Sequence, residues 1–222
     1  MAARVNTSAV LIHLSKSCSV SASMGQDKKI VDAIVLASRE FDQPFHTRCI
    51  EIICHLTRFP SSNLYLARQN GIIDTLLKCG RSKISDDRKW AVRALQNLST
   101  EEENKAVLAT NALLTVLSTS AMRNGTEEQL AAVGALLNLS GEPGTIVPLT
   151  NTKNVVATLV HLAHNLETPV QVRNHACDCL STIGFWLQAL AGIGTVPEDI
   201  KMELLPTHRT CGWDRWKNRH NI

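Results

Sequence analysis

One stretch occurs twice in the sequence, first as Trp90-Ala-Val-Arg-Ala-Leu-Gln-Asn-Leu-Ser99 and 41 residues later as Ala131-Ala-Val-Gly-Ala-Leu-Leu-Asn-Leu-Ser140. Both copies carry small or apolar residues at i, i+3, i+4 and i+7, namely Ala91, Ala94, Leu95 and Leu98, then Ala132, Ala135, Leu136 and Leu139. This spacing places them on one face of an α-helix, where alanine lets a neighbouring helix approach closely. The stretch therefore predicts a buried helix that recurs along the chain.

Weaker copies of the same face extend the repeat in both directions. They are Thr7, Val10, Leu11 and Leu14, then Cys49, Ile52, Ile53 and Leu56, and finally Ala176, Cys179, Leu180 and Ile183. From one copy to the next, the last apolar position advances by 42, 42, 41 and 44 residues. A fixed period of this length is typical of helical repeat arrays.

Two more elements recur in phase with this helix. An apolar pattern typical of a second helix lies at 30–35, 72–77, 113–117, 155–160 and 200–205. Capping residues predict a short helix that opens at Ser21, Asn63, Asn104 and Thr145 and ends at Gly71 and Asn111 in two of its copies. The long helix should open at Asp42, Ser85, Thr126 and Thr168. The sequence thus predicts an all-α chain of three-helix repeats of about 42 residues.

The chain resembles the armadillo-repeat family at this point. Asn104-Lys-Ala-Val-Leu, Ala112-Leu-Leu-Thr-Val-Leu and Ala132-Val-Gly-Ala-Leu-Leu-Asn-Leu-Ser140 are similar to that family's first, second and third helices. The resemblance implies a right-handed superhelical solenoid over residues 1–206. It divides that region into the third helix of a partial repeat at 1–15, repeats near 17–58, 62–100, 103–141 and 145–185, and a partial repeat at 187–206.

Composition and charge exclude several classes of protein. The 222 residues are 44% apolar and 19% charged, which excludes a mainly disordered chain, and no apolar run is long enough to span a membrane. The net charge of +3 lies in the basic, tryptophan-containing tail at 207–222, which we expect to be disordered. The body is neutral, so we do not expect nucleic-acid binding. Seven cysteines without framework spacing favour reduced thiols and a location in the cytoplasm or nucleus.

The sequence offers little that would support catalysis. Gly192-Ile-Gly194 lacks the third glycine and the preceding strand of a nucleotide-binding loop, and no serine-hydrolase or zinc-protease motif is present. His175 and Cys179 would share one side of a helix while Cys177 points elsewhere, so we expect no metal site there. We therefore expect neither a metal nor another cofactor, and we expect no enzymatic activity.

The resemblance also implies where a partner would bind. In armadillo arrays the third helices line a concave groove that holds an extended peptide, commonly with a ladder of tryptophan and asparagine side chains. Here the asparagine positions hold His13, His55, Asn97, Asn138 and Thr182, and the tryptophan positions hold Ala9, Glu51, Arg93, Gly134 and Asp178. The expected groove residues are Glu51, His55, Arg93, Asn97, Asn138 and Asp178.

We interpret the chain as a non-catalytic protein-interaction module or scaffold that binds an extended peptide of mixed charge. Asn97 and Asn138 would hold the peptide backbone, because an amide both donates and accepts hydrogen bonds, and Arg93 and Glu51 would select side chains. A nuclear transport adaptor is disfavoured because the ladder tryptophans are missing. A degenerate repeat fragment without a partner is a further alternative. Trp90, one turn before Arg93, could line the groove or pack between repeats. The sequence gives no indication of oligomeric state.

Overall fold

A computed structural model of the protein describes residues 2–40 and 44–191, and all regular structure within these two ranges is helical. The α-helices are α1 (Ala2–Lys16), α2 (Cys18–Gln26), α3 (Lys28–Glu40), α4 (Phe45–Leu56), α5 (Pro60–Arg68), α6 (Ile72–Gly80), α7 (Ser85–Leu98), α8 (Glu102–Leu108), α9 (Asn111–Ala121), α10 (Thr126–Ser140), α11 (Ile146–Asn151), α12 (Val155–His164) and α13 (Val170–Ala191). A 3₁₀ turn at Pro143–Thr145 leads into α11.

The chain forms two compact units, Met1–Val107 and Leu108–Ile222. In the first unit α4 packs against α1, α3 and α7, α2 packs against α5, and α6 packs against α7. In the second unit α9 and α13 both pack against α10 and α12. We call α1, α4, α7, α10 and α13 the third helices, because they carry the repeated apolar face.

The repeated face forms the core, as the spacing predicts. Every one of its positions in α4, α7, α10 and α13 is at most 3% exposed, and Ala94 and Ala135 are fully buried. The copy in α1 differs, since Val10 is 57% and Leu14 38% exposed while Ser8 and Ser15 are buried. No described helix precedes α1, so nothing in the described chain covers that side of it.

A buried hydroxyl marks the end of four third helices. Ser15, Thr57, Ser99 and Ser140 each follow the last apolar position, and each donates to the carbonyl three residues earlier. Each hydroxyl donates to a carbonyl of the last turn, where a helix no longer supplies a backbone donor to every carbonyl. The equivalent residue in α13 is Gly184, which has no hydroxyl, and α13 continues to Ala191. The spacing of these hydroxyls follows the repeat.

Three of the four predicted N-caps of the short helices are wrong, since Ser21, Asn63 and Asn104 lie inside α2, α5 and α8. Thr145 is the N-cap residue of α11, as predicted, but its side chain makes no capping bond. All four are buried. Their side chains donate instead to backbone carbonyls: Ser21 to His55 O (3.2 Å), Asn63 to Asn97 O (3.1 Å), Asn104 to Leu98 O (3.2 Å) and Thr145 to Leu139 O (2.5 Å). Their register follows the repeat because they satisfy the carbonyl ends of the long helices.

The other boundary predictions have mixed outcomes. Gly71 adopts the predicted left-handed conformation, with φ of 85°. Asn111 does not end the short helix but begins α9, because Thr110 caps that helix by accepting from Leu113 N. Helices α7 and α10 begin at Ser85 and Thr126, and α13 begins two residues after Thr168. Asp42, the second-helix pattern at 200–205 and the tail at 207–222 lie outside the described residues.

Within the described ranges, no single helix is both long and apolar enough to cross a membrane. One pair, Thr126–Ser140 with Pro143–Asn151, reaches that length and composition jointly, but it is bent by 115° between its two members.

Replacing Ala135 with Phe should lower the free energy of unfolding by about 1–3 kcal/mol, because the ring must displace packed neighbours around α10. Ala157→Phe on the exposed side of α12 is the matched control, and it should change stability by less than about 0.5 kcal/mol. Urea titrations followed by circular dichroism would compare the two. Equal midpoints for the variants would show that the helix register is wrong.

Replacing Asn104 with Ala should destabilise the protein by about 1–3 kcal/mol, because the carbonyls of Leu98 and Asn63 would lose their buried donor. Asn124, exposed between α9 and α10, supplies the control variant Asn124→Ala. Thermal denaturation would measure both. An Asn104→Ala variant as stable as Asn124→Ala would contradict the role assigned to the buried amide.

Candidate functional site

The candidate site is the side of α1, α4 and α7 that is turned away from the core. By helical spacing, Lys16, Glu51, His55, Arg58, Trp90, Arg93 and Asn97 lie on this side, which we call the α1–α4–α7 face. Contacts between neighbouring helices confirm the placement. Lys16 Nζ of α1 lies 3.6 Å from Glu51 Oε1 of α4, and the His55 ring of α4 lies 5.8 Å from the Trp90 ring of α7, measured between centroids.

His55 is the buried member of the face, at 7% exposure. Its Nε2 is 3.5 Å from Glu51 Oε1, too long for a well-formed hydrogen bond, and its Nδ1 has no hydrogen-bond partner among the residues that the structure describes. Burial lowers the pKa of His55, Glu51 opposes this shift, and the charges of Lys16 and Arg58 add to it. The imidazole is therefore neutral at pH 7, since even an unperturbed histidine has a pKa of about 6.5.

Trp90 combines the two roles left open by its sequence position. Its indole packs against His55 of the neighbouring third helix at an interplanar angle of 57°, and it remains partly exposed. The ammonium of Lys89 lies over the ring, 5.5 Å from its centroid, in a cation–π contact. The indole thus offers a partner an apolar surface that is already fixed in place.

Arg58 and Arg93 are two exposed cations of the face that, unlike Lys16, have no carboxylate partner among the described residues. Neither side chain forms an ion pair or hydrogen bond with any residue in the described part of the chain. Burial raises the pKa of the Cys54 thiol to about 12, although the charges of Arg93 and Arg58 act to lower it. Asn97 Nδ2, one turn after Arg93, donates to Oγ1 of Thr57, the residue before Arg58, so both cations belong to the region where α7 meets the end of α4.

The amide nitrogen of Asn97 is already used in hydrogen bonds within the protein. Its Nδ2 donates to Thr57 Oγ1 at 3.2 Å and, at 3.4 Å, to the Cys54 carbonyl, which joins α7 to the end of α4. Its Oδ1 has no partner among the described residues. Asn97 therefore keeps an acceptor for a ligand N–H, while its donor already links two helices.

The six residues expected in the groove fall in both units. Glu51, His55, Arg93 and Asn97 come together on the α1–α4–α7 face of the first unit. Asn138 and Asp178 are half-buried on α10 and α13 of the second unit. The backbone carbonyl of Asp178 accepts a hydrogen bond from Thr182.

Lys16 and Arg58 are members of the face that the sequence interpretation did not include. They stand 42 residues apart at equivalent repeat positions, two residues after Leu14 and Leu56. The 42-residue period therefore identifies both as equivalent positions, although neither is a ladder position of the family.

A second polar group lies away from this face, between α4, α6 and α7. Cys79 Sγ is 3.4 Å and Asp87 Oδ2 is 3.6 Å from His46 Nε2, while His46 Nδ1 lies 2.5 Å from the Ser38 carbonyl. A cysteine nucleophile needs an accessible thiolate. Burial, with a smaller contribution from the charge of Asp87, raises the pKa of Cys79 to about 12. The group is therefore a buried polar contact and does not have the geometry of an activated nucleophile.

No three His, Cys, Asp or Glu side chains in the described ranges are arranged to hold a metal ion. At 175–179, Cys179 packs in the core while His175 and Cys177 are half-buried.

Cys79 should resist alkylation in the native protein at pH 7.5, because its thiol is buried and protonated. Exposed Cys18 is the internal reference and should react. Brief treatment with iodoacetamide followed by peptide mass spectrometry would give both rates, and urea should make them similar. Native labelling of Cys79 as fast as that of Cys18 would contradict a buried, protonated thiol.

No protein-family model matches the sequence, and no curated protein matches it. Solved structures do match. A designed armadillo repeat protein has a TM-score of 0.63 and 15% identity, over 91% of this chain and 98% of its own. Another, in complex with the peptide (KR)4, has a TM-score of 0.63 and 13% identity, over 91% and 98% of the two chains. A third, computationally designed for modular peptide recognition, has a TM-score of 0.63 and 15% identity, over 89% and 96%. These similarities show an armadillo-like helical repeat fold.

Proposed function

We propose that this chain, which has an armadillo-type repeat fold, is a non-catalytic protein-binding module that holds an extended peptide along its third helices. The observation that carries the proposal is the α1–α4–α7 face itself. Helices α1, α4 and α7 are neighbours, and the repeated apolar face is completely buried in α4 and α7. On their other side the three helices present aligned charged, aromatic and amide groups. Such a row suits a partner that crosses several helices in an extended conformation.

Each group on the face has a distinct task in this proposal. Asn97 Oδ1 accepts a hydrogen bond from a backbone N–H of the peptide. This bond fixes the peptide whatever its side chains are. Arg93 and Glu51 select side chains by charge. Trp90 provides an apolar contact whose orientation is already set by His55 and Lys89. In the second unit Asn138 and Asp178 would act in the same way on their own helices.

The comparisons support the general function and not the particular ligand. Among the matching structures are armadillo repeat proteins designed for peptide recognition, one of them in complex with (KR)4. The nuclear transport alternative would require a face suited to lysine-rich segments, whereas Arg58 and Arg93 would repel them. We place the protein in the cytoplasm or nucleus, because its cysteines show no disulfide framework.

Selection from a displayed library of random peptides would test the proposal. Peptides recovered on the wild-type protein should bind Trp90→Ala at least about fivefold more weakly, since an interface aromatic commonly contributes 1 kcal/mol or more. Lys78→Ala, at an exposed position of α6, is the control and should bind as the wild type does. Isothermal titration calorimetry would give the affinities.

The proposal would be contradicted if the recovered peptides bound Trp90→Ala and wild type equally but lost affinity for Lys78→Ala. Circular dichroism of both variants separates lost binding from lost fold, since neither side chain belongs to the buried apolar face.

A further inference from the structure

The charges on the α1–α4–α7 face are unequal. Lys16, Arg58 and Arg93 supply three cations, and Lys89 lies beside them over Trp90. Glu51 is the carboxylate among them, and it is already approached by Lys16 at 3.6 Å. Asp86 is the next acid on this side of α7, one turn before Trp90 and exposed. Beyond the end of α7, Glu101 accepts a hydrogen bond from Thr100, which stands at the repeat position of Lys16 and Arg58. With Glu101 and Glu51 set against Lys16, Arg58 and Arg93, the part of the face from Trp90 to the helix ends still has a net positive charge.

Two of these cations are available to a partner. Arg58 and Arg93 are exposed and have no ion pair in the described part of the chain. Arg58 directly follows Thr57, whose Oγ1 accepts a hydrogen bond of 3.2 Å from Asn97 Nδ2, one turn after Arg93, so both cations belong to the region where α7 meets the C-terminal end of α4. Arginine binds carboxylates through paired hydrogen bonds from its planar guanidinium, so two neighbouring arginines favour a ligand with more than one acidic group.

We infer that the partner of this face is an acidic extended peptide, whose Asp or Glu side chains pair with Arg58 and Arg93 while an apolar side chain lies on Trp90. This inference rests on the proposed function and specifies its ligand. It replaces the partner of mixed charge that the sequence positions of Glu51, Arg93 and Asp178 favour.

A peptide fits the face better than a nucleic acid, the other polyanion to be considered. A nucleic-acid strand places a phosphate on every nucleotide, and Glu51 in the middle of the face would repel that chain. A peptide backbone instead offers N–H groups, and the Glu51 carboxylate and Asn97 Oδ1 can accept hydrogen bonds from them. Proteins that bind single-stranded nucleic acid without sequence preference also use a series of aromatic side chains. In the basic part of this face the aromatic surface is Trp90.

The test uses the full chain and three fluorescein-labelled probes in anisotropy titrations. Two are peptides of about 12 residues, longer than the roughly 20 Å that three adjacent helices span. One alternates Glu with Leu and Ser, and the other carries Lys at every Glu position. The third probe is oligo-dT of equal length. We expect the acidic peptide to bind, and the basic peptide and oligo-dT to bind at least about tenfold more weakly.

Charge reversal then assigns the site. Arg93→Glu and Arg58→Glu, on different segments, should each weaken the acidic peptide by about tenfold or more at low salt. That ratio should fall as salt is raised from about 0.05 to 0.5 M, because these groups are exposed. Lys29→Glu, exposed in the first turn of α3, makes the same change in net charge and should leave affinity within about twofold.

Several results would overturn the inference. Preference for the basic peptide, lost in Trp90→Ala, would refute an acidic partner while leaving peptide binding at this face intact. Preference for oligo-dT, lost in Arg93→Glu, would refute the acidic peptide and the proposed function together. Equal weakening by Lys29→Glu and Arg93→Glu would show an attraction set by net charge and refute a site. Failure of all three probes to bind would refute the inference, while the library selection would still decide the proposed function.

Discussion

The whole structure depends on one packing constraint: each third helix must bury a face of small and apolar side chains against its neighbours. The face contains alanine at close-contact positions, so it has little apolar area of its own and gains its stability from close approach. Ala94 and Ala135 are fully buried for this reason. No repeat can satisfy such a face alone, which makes the repeat array, and not the single repeat, the folding unit.

A second requirement follows from ending these helices inside a protein. Their last carbonyls would be buried without donors, and the chain meets this requirement with short polar side chains at the repeat period. Ser15, Thr57, Ser99 and Ser140 act within their own turns, while Ser21, Asn63, Asn104 and Thr145 donate from the short helices. Core packing and these hydrogen bonds use two sides of each third helix, which leaves the remaining side for a ligand.

Asn97 belongs both to the hydrogen bonds between helices and to the side left for a ligand. Its Nδ2 belongs to the hydrogen bonds that join α7 to α4, while its Oδ1 points to no partner in the described chain. A substitution there would change stability and binding together, whereas Arg58, Trp90 and Arg93 report on binding more directly. Because the charged groups of the face belong neither to the core packing nor to these hydrogen bonds, they can vary without disturbing the repeat.

Much of the fold could be predicted from the sequence, because periodic apolar spacing reports burial directly. The repeated apolar positions of α4, α7, α10 and α13 are all buried as predicted, whereas the equally buried Ile50, Val92 and Val133 lie outside that spacing. The caps were predicted less well, because Asn63 and Asn104 have the residue type and register of N-caps but bond to carbonyls that are distant in sequence. The exposure of Val10 and Leu14 agrees with the partial repeat expected at 1–15, in which the third helix lacks one covering neighbour. Four of the six candidate site residues lie together, but the basic character of their surroundings depends on Lys16 and Arg58.

Native-state hydrogen exchange, resolved by peptide mass spectrometry, tests the packing constraint most directly. Amides of α1 should exchange with a free energy of opening several kcal/mol below that of α7, because the face of α1 is only partly covered and that of α7 is buried. Helix α4, covered by α1 on one side and α7 on the other, should resemble α7. Protection of α1 equal to that of α7 would contradict the account, because stability would then not depend on covering the repeated face.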